Sequence, residues 1–313
     1  MDYSLFIITT LQFLALLVSA PAAVGLIRLL KARAQGRRGA SLLQPYRDLR
    51  KLWRKDEQVS EDASWLFRVA PLISAASVIL TASMLPVLHV TVLGPGSDMI
   101  LAIYILMLAR AILVLSSLEG GSVFGGMGGS RDSMISVLIE PALLLSIFSL
   151  AALAGSTELS STAQFISQGG YLIIGPTLIL AAASFCITTL AENARLPFDN
   201  PATHLELTMV HEAMVLEYSG RSLALMEYSS WLKLTVFITI LVNGFLPWGI
   251  SSTLDPLSLA LAFVAFMFKL ILALGLIALL ESQMAKMRLF RLPNLLTTSF
   301  TLALLALMAF YIL

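Results

Sequence analysis

Eight stretches of this chain, at about 4–28, 69–92, 98–118, 134–155, 171–193, 233–250, 256–282 and 293–312, are apolar runs near the length of a bilayer crossing. A crossing takes roughly 20 residues of helix. Inside lipid a segment must satisfy its own backbone hydrogen bonds, so runs of this length are helices. Pro86, Pro95, Pro176, Pro247, Pro256 and Pro293 fall at or near the ends of the runs, where a proline costs least. Composition agrees: 58% of residues are hydrophobic and 12% are charged. That charged share is about half the usual one for a soluble domain. Mean hydropathy is +0.88. The fold class expected is an all-α polytopic membrane protein, a single membrane domain over 1–313 with about eight transmembrane helices.

Orientation follows from Lys and Arg, which stay on the cytoplasmic side. Segment 31–68 carries ten of them, and loops 119–133, 194–232 and 283–292 carry Arg131, Arg195 and Arg221, and Lys286, Arg288 and Arg291. The alternate connections 1–3, 93–97, 156–170 and 251–255 carry none. Eight spans make this alternation regular, with both termini outside and two long cytoplasmic loops, 31–68 and 194–232. No internal repeat suggests the inverted halves of a secondary transporter.

Several chemistries are excluded by inventory. One Cys (Cys186) and three His (His89, His204, His211) cannot build a disulfide framework or a thiolate-held cluster in this chain. The net charge of +1 gives no footprint for nucleic acid. No H-E-x-x-H or nucleotide-binding glycine motif is present. The chain is therefore expected to hold no metal, no cofactor and no catalytic residue.

What remains is charge in costly places. Arg110 and Glu140 lie nine residues from the cytoplasmic ends assumed for spans three and four, at similar depth, and are expected to pair. Pro141 then frees a backbone group beside Glu140. Lys269 falls near mid-membrane on span seven, and Glu192 and Glu281 end their spans on the inside. The loop 31–68 has a net charge of +5 and the loop 194–232 of −3. Opposite signs on one face can dock the loops to each other or dock a peripheral protein. In the acidic loop, Asp199 sits between Pro197 and Pro201, and the pattern turns helical from Ala202, with Glu206 and Glu212 among its acids. His204 and His211 are two helical turns apart, about 10.5 Å, too far to share a metal ion. They read either as a polar face of an amphipathic helix or, with the neighbouring Glu, as proton-handling groups. The segment 116–131 holds six glycines and reads as a tight interface loop.

Three motifs carry a family resemblance. The first runs from Arg33 to Lys55 and includes Arg37-Arg38-Gly39 and Leu43-Gln44-Pro45-Tyr46-Arg47-Asp48 with Lys51-Leu52. The second is Leu118-Glu119-Gly120-Gly121-Ser122 with Ser130-Arg131 and Glu140-Pro141. The third is Glu192, Arg195-Leu196-Pro197-Phe198-Asp199, Glu206-Leu207 and Glu217-Tyr218-Ser219-Gly220. In this order the chain resembles the subunit 1 family of respiratory NADH–quinone oxidoreductase and its relatives in energy-converting [NiFe] hydrogenases and formate hydrogenlyase. Asn200-Pro201-Ala202-Thr203-His204 replaces the Glu-rich run of the quinone-reducing branch, so the hydrogenase branch fits better.

The resemblance implies a non-catalytic anchor and coupling subunit in the inner membrane of a prokaryote. Its partners would be hydrogenase large and small subunits, an iron–sulfur subunit and antiporter-like membrane subunits. The [NiFe] centre and iron–sulfur clusters would lie in those partners. Arg37, Arg38, Arg47, Asp48, Lys51, Glu119, Arg131 and Arg195 are then expected to dock the hydrophilic arm. Glu140, Arg110, Glu192, Asp199, Glu206, Glu212, Glu281, Lys269, His204 and His211 would form the proton path that couples redox energy to proton or sodium movement. The alternatives are a quinone-binding subunit and a stand-alone ion transporter.

Overall fold

The computed structural model describes residues 3–60, 63–90, 92, 97–169, 175–199 and 209–312. Its helices are α1 (Tyr3–Ala34), α2 (Gln44–Trp53), α3 (Trp65–Ser83), α4 (Met99–Glu119), α5 (Val123–Ala154), α6 (Leu159–Gly169), α7 (Pro176–Glu192), α8 (His211–Val215), α9 (Gly220–Ile240), α10 (Pro256–Gln283) and α11 (Leu292–Ile312). A π-helical turn, Leu241–Phe245, continues α9. Among the described residues seven helices have the length and apolarity of a membrane crossing. These are α1, α3, α4, α5, α9 with its π turn, α10, and α11 with the short turn before it. The eighth expected run appears as α7, whose 17 residues reach about 25 Å.

The apolar rows interlock into one main core. α1 packs on α9 and α10, α3 on α4 and α9, and α5 and α7 on each other and on α11. Phe185 of α7 meets Phe237 and Phe245 at centroid distances of 6.0 and 5.3 Å, close enough for favourable ring contacts.

Several boundaries differ from the sequence reading. The glycine-rich stretch expected as loop 119–133 is the start of α5, a 32-residue helix. Glycine is a poor helix former, by about 1 kcal/mol per residue, but here close packing requires it. A Cβ on Gly125 would lie 2.7 Å from the Ser117 carbonyl oxygen, and one on Gly128 would lie 2.9 Å from both the Val210 carbonyl oxygen and the Ala213 Cβ. The glycines thus make a tight interface, as expected, but on a helix. Gly128→Val should push α8 off α5 at a cost of roughly 1–3 kcal/mol for overpacking, read as a lower thermal midpoint of the purified complex.

The sixth span begins at Gly220 rather than near 233, because α9 has a buried polar start that a hydropathy ruler passes over. α3 ends at Ser83, before Pro86, so 84–92 is not helical where it is described. α6 occupies most of the connection 156–170. Of the helix expected from Ala202, residues 202–208 lie outside the described residues and α8 is the part seen.

Candidate functional site

The bundle end that carries the basic segment 31–68 gathers most of the buried charge. Arg110 of α4 lies opposite Asp132 of α5, not opposite Glu140. Its Nε donates to Asp132 Oδ2 and its Nη2 to Asp132 Oδ1, both at 2.8 Å. Its Nη1 donates to Glu192 Oε2 at the end of α7. The other oxygen of Glu192 accepts from Lys233 Nζ of α9 at 2.7 Å. Four helices are therefore tied by one two-cation, two-anion cluster whose Arg110, Asp132 and Glu192 are 7–8% exposed. Planar Arg suits this fork to two carboxylates.

The expected Arg110–Glu140 pair is corrected by the start of α5. With helix running from Val123, Asp132 is already about 13 Å inside it at 1.5 Å per residue. Glu140 lies two turns further toward the opposite end, about 12 Å on, half-buried and beside Pro141. No described side chain forms a salt bridge with Glu140 within 4 Å, although it is near enough to feel the charges of Arg110, Glu192 and Asp132.

A second knot lies where the segment after α7 meets α10. Glu281 accepts from Lys31 at 3.1 Å and from Arg195 at 3.3 Å. Asp199, 4% exposed, accepts from Lys286 at 2.5 Å and from the backbone N–H groups of Val210 and His211 at 3.1 and 3.2 Å. Arg131 donates to the Met209 carbonyl at 3.1 Å. Asp199 and Arg131 together therefore fix the start of α8, which closes over the Arg110 cluster.

Beside the Glu192–Lys233 pair lies a cavity of about 40 Å³, lined by Asn193, His211, Ser229 and Ser230 together with apolar residues such as Leu113 and Met226. That space holds about two or three waters. Asn193 Oδ1, at the cavity, and Thr189 Oγ1, one helical turn before it, are buried and meet no hydrogen-bond partner among the described residues. Burial holds the His211 imidazole below its ordinary value, although Asp132 draws it the other way. Glu212, next in sequence, is pushed up to about 7, first by burial and then by Glu227 and Asp199.

An acid with a raised value stays neutral until the pH passes that value, so Glu212 should remain protonated between its ordinary 4.5 and about 7. A carboxylic-acid C=O band present at about pH 6 and gone at about pH 8, and missing in Glu212→Gln, is the expected infrared difference signal. A band unchanged across that range would contradict the assignment.

Lys269 stands apart from this network. Its ammonium donates to the Val242 and Leu246 carbonyls at 3.1 and 3.0 Å and to Asn243 Oδ1 at 2.7 Å. It thereby caps the π turn, while the Asn243 amide donates to Pro86 and Val87. A π turn frees carbonyls, and Lys269 satisfies them. Its place in the proton path is therefore not supported by contact.

Of the expected docking residues, Arg37, Arg38, Arg47, Lys51 and Glu119 are exposed. Arg131 and Arg195 are engaged inside the chain, and Asp48 is held by Gln44 at 2.9 Å and faces Arg28 at 3.8 Å. The basic and acidic loops meet through Gln58 and Glu57 bonded to Ser219 and Ser222, with no salt bridge between them among the described residues. His204 and Glu206 lie outside the described residues. Asp132 and Lys233, with Lys31 and Lys286 of the second knot, are the site residues that sequence reasoning missed; for the first two a signal existed. Their signal was an Asp beside Arg131 and a Lys at the edge of an apolar run.

Known proteins share this sequence pattern along nearly its whole length. The family model described as NADH dehydrogenase matches residues 7–312. The chain is 36% identical over 298 residues to formate hydrogenlyase subunit 4 of Escherichia coli (strain K12), covering 95% of each. It is 33% identical over 306 residues to hydrogenase-4 component C of the same organism, covering 97% of this chain and 96% of that one. It is 28% identical over 264 residues to an NADH-quinone oxidoreductase subunit of Salinibacter ruber (strain DSM 13855 / M31), covering 79% and 73%. Among solved structures, a chain of the membrane-bound sulfane sulfur reductase, an archaeal respiratory membrane complex, shares the fold with a TM-score of 0.85 at 20% identity. That match covers 97% of this chain and 99% of that chain.

Proposed function

The chain belongs to the NADH dehydrogenase family, and on that premise we propose that it is the membrane anchor and coupling subunit of an energy-converting hydrogenase-type complex. The relatives named for formate hydrogenlyase and hydrogenase-4 are matched over more of the chain, and at higher identity, than the quinone oxidoreductase relative. In this reading the chain is one membrane domain with eight crossings and both termini outside, in the cytoplasmic membrane of a prokaryote. Its basic end faces the cytoplasm and receives the hydrophilic arm. Hydrogenase large and small subunits and an iron–sulfur subunit, which hold the [NiFe] centre and clusters, dock there, and antiporter-like subunits lie alongside in the membrane.

One observation carries the coupling role. α8 and the Asp199 segment, at the surface where the arm docks, form the roof of a buried charge cluster. A shift of the arm is felt first at Asp199, Val210 and His211. It reaches the Glu192–Lys233 pair across one small cavity that His211, Glu192 and Lys233 all line, and from Glu192 the Arg110–Asp132 pair. From Arg110 the field extends inward to Glu140, a carboxyl without an ion-pair partner among the described side chains. Glu192 joins both cations, Arg110 on one oxygen and Lys233 on the other, so a change at either pair is felt by the other.

Docking is testable separately from coupling. Arg37 and Arg38 lie beyond the end of α1, exposed, and are proposed with Glu119 to contact the arm. Replacing both by Glu should release peripheral subunits from membranes at about 0.15 M salt, where unlike surface charges still act over about 8 Å. Full retention of the arm after that reversal would contradict the docking surface.

A further inference from the structure

α2 fits neither the arm-docking surface nor the buried cluster. Its sequence splits cleanly by helical spacing. Pro45, Leu49 and Leu52 fall on one side and turn toward α1 and α9. Arg47, Arg50, Lys51 and Arg54 follow at intervals of three, one and three residues on the other side, all exposed. Asp48, the acid of this helix, is turned away to Gln44 and Arg28. Lys55 extends the basic face, and Asp56 and Glu57 lie past its end, Glu57 being bonded to Ser222.

The height of α2 decides what that face meets. Tyr46 donates from its hydroxyl to the Val18 carbonyl of α1. Gly25 lies so close to Leu42 that a Cβ there would collide with the Leu42 carbonyl oxygen. α2 therefore packs at the level of residues 18–25 of α1, well short of that helix's end at Ala34. A hydrocarbon layer about 30 Å thick uses roughly 20 residues of helix. Counted from Pro256, the start of α10, that places the inner boundary near Leu276, five residues before Glu281. The Lys31–Glu281 bond levels the two helices, so the same boundary falls near Leu26 of α1. That count puts α2 at the inner membrane boundary, not in the cytoplasm. Trp53 on its flank and Leu42 and Leu43 before it are 54%, 41% and 56% exposed. An exposed Trp beside exposed cations is the composition of the headgroup layer.

We propose that the Arg47–Arg50–Lys51–Arg54 face of α2 is a binding site for anionic phospholipid headgroups of the inner leaflet. Phosphates at this depth accept from the guanidinium groups, while Trp53, Leu42 and Leu43 lie against the upper acyl chains. The inference rests on the placement of the basic end in the cytoplasm given above. It separates two parts of one basic segment. Arg37 and Arg38 stand clear of the membrane and meet protein, whereas the α2 cations meet lipid.

The test uses the complete complex reconstituted in phosphatidylcholine vesicles with trace spin-labelled phosphatidylglycerol or spin-labelled phosphatidylcholine. The wild type should restrict phosphatidylglycerol in preference to phosphatidylcholine. The combined variant Arg47→Gln, Arg50→Gln, Lys51→Gln and Arg54→Gln should lower that preference by at least about fivefold, the effect of losing one full headgroup contact. The charge-conserving variant Arg47→Lys, Arg50→Lys and Arg54→Lys should keep it, which separates lost charge from misfolding. Arg37→Gln with Arg38→Gln should leave the lipid preference unchanged while loosening the arm. Unchanged lipid preference in the four-site variant overturns the proposal. So does loss of the arm in that variant with lipid preference intact, which would assign this face to protein. If the Arg37 and Arg38 variant keeps its arm while the α2 variant loses lipid, the docking surface fails and the lipid site stands.

Discussion

Arg110→Met should be the most damaging single substitution in the chain, at roughly 3–5 kcal/mol. Arg110 makes three hydrogen bonds to the carboxylates of Asp132 and Glu192 and is itself 7% exposed. Removing it leaves Asp132 without a cation within ion-pair distance and Glu192 with Lys233 alone among the described side chains. In a low-dielectric setting that is far worse than never having built the pair. The protein should be lost from purified membranes, or its complex should melt earlier. Arg110→Lys should recover part of the loss, since one ammonium keeps the charge but cannot fork to both oxygens of Asp132. Normal yield and melting of Arg110→Met would show that the cluster contributes no such stability.

How much of this is legible in the sequence depends on the physical signal behind each feature. The apolar runs place α4, α7, α10, α11 and the C-terminal end of α5 closely, because a lipid-facing helix must be apolar along its length. They place α9 late, since its first three turns mix Arg221, Ser222, Glu227, Tyr228 and Ser229 with apolar residues and lower the local hydropathy, while Tyr228 and Ser229 bond to α1 and α3. The start of α5 reads as loop because glycine weakens helices. What reverses that preference is contact with Ser117, Val210 and Ala213, and only the fold brings those residues to the glycines. The same error displaces the partner of Arg110: an Asp placed in a loop cannot be matched in depth to an Arg in a helix.

Asp199 stands out in the sequence for its place between two prolines, and the structure gives it a definite task, holding Lys286 and the first N–H groups of α8. Glu192, Glu281 and Arg195 are likewise in ion pairs, though with partners 41 to 250 residues away in sequence. Such long-range pairings are invisible to spacing rules. Lys269 shows the converse. A lone Lys at mid-span reads as a charge needing a carboxylate, but the π turn of α9 supplies three oxygens that no hydropathy profile would reveal.

In the proposed coupling role, buried charge in this protein moves protons in step with redox events in the arm, with Glu140 as the inward carrier. Glu140→Gln tests it with little structural cost, because the amide keeps the shape and hydrogen-bonding capacity of the acid, and Glu140 is half-buried with no salt-bridge partner among the described side chains. The decisive measurement is ion movement into sealed, inverted membrane vesicles, recorded with redox turnover in the same sample. Turnover should stay near the wild-type rate under uncoupled conditions, with ion movement reduced at least tenfold, a change of about 1.4 kcal/mol. Normal ion movement at normal turnover in Glu140→Gln would contradict it, and would leave the Arg110 cluster as a structural lock between α4, α5, α7 and α9.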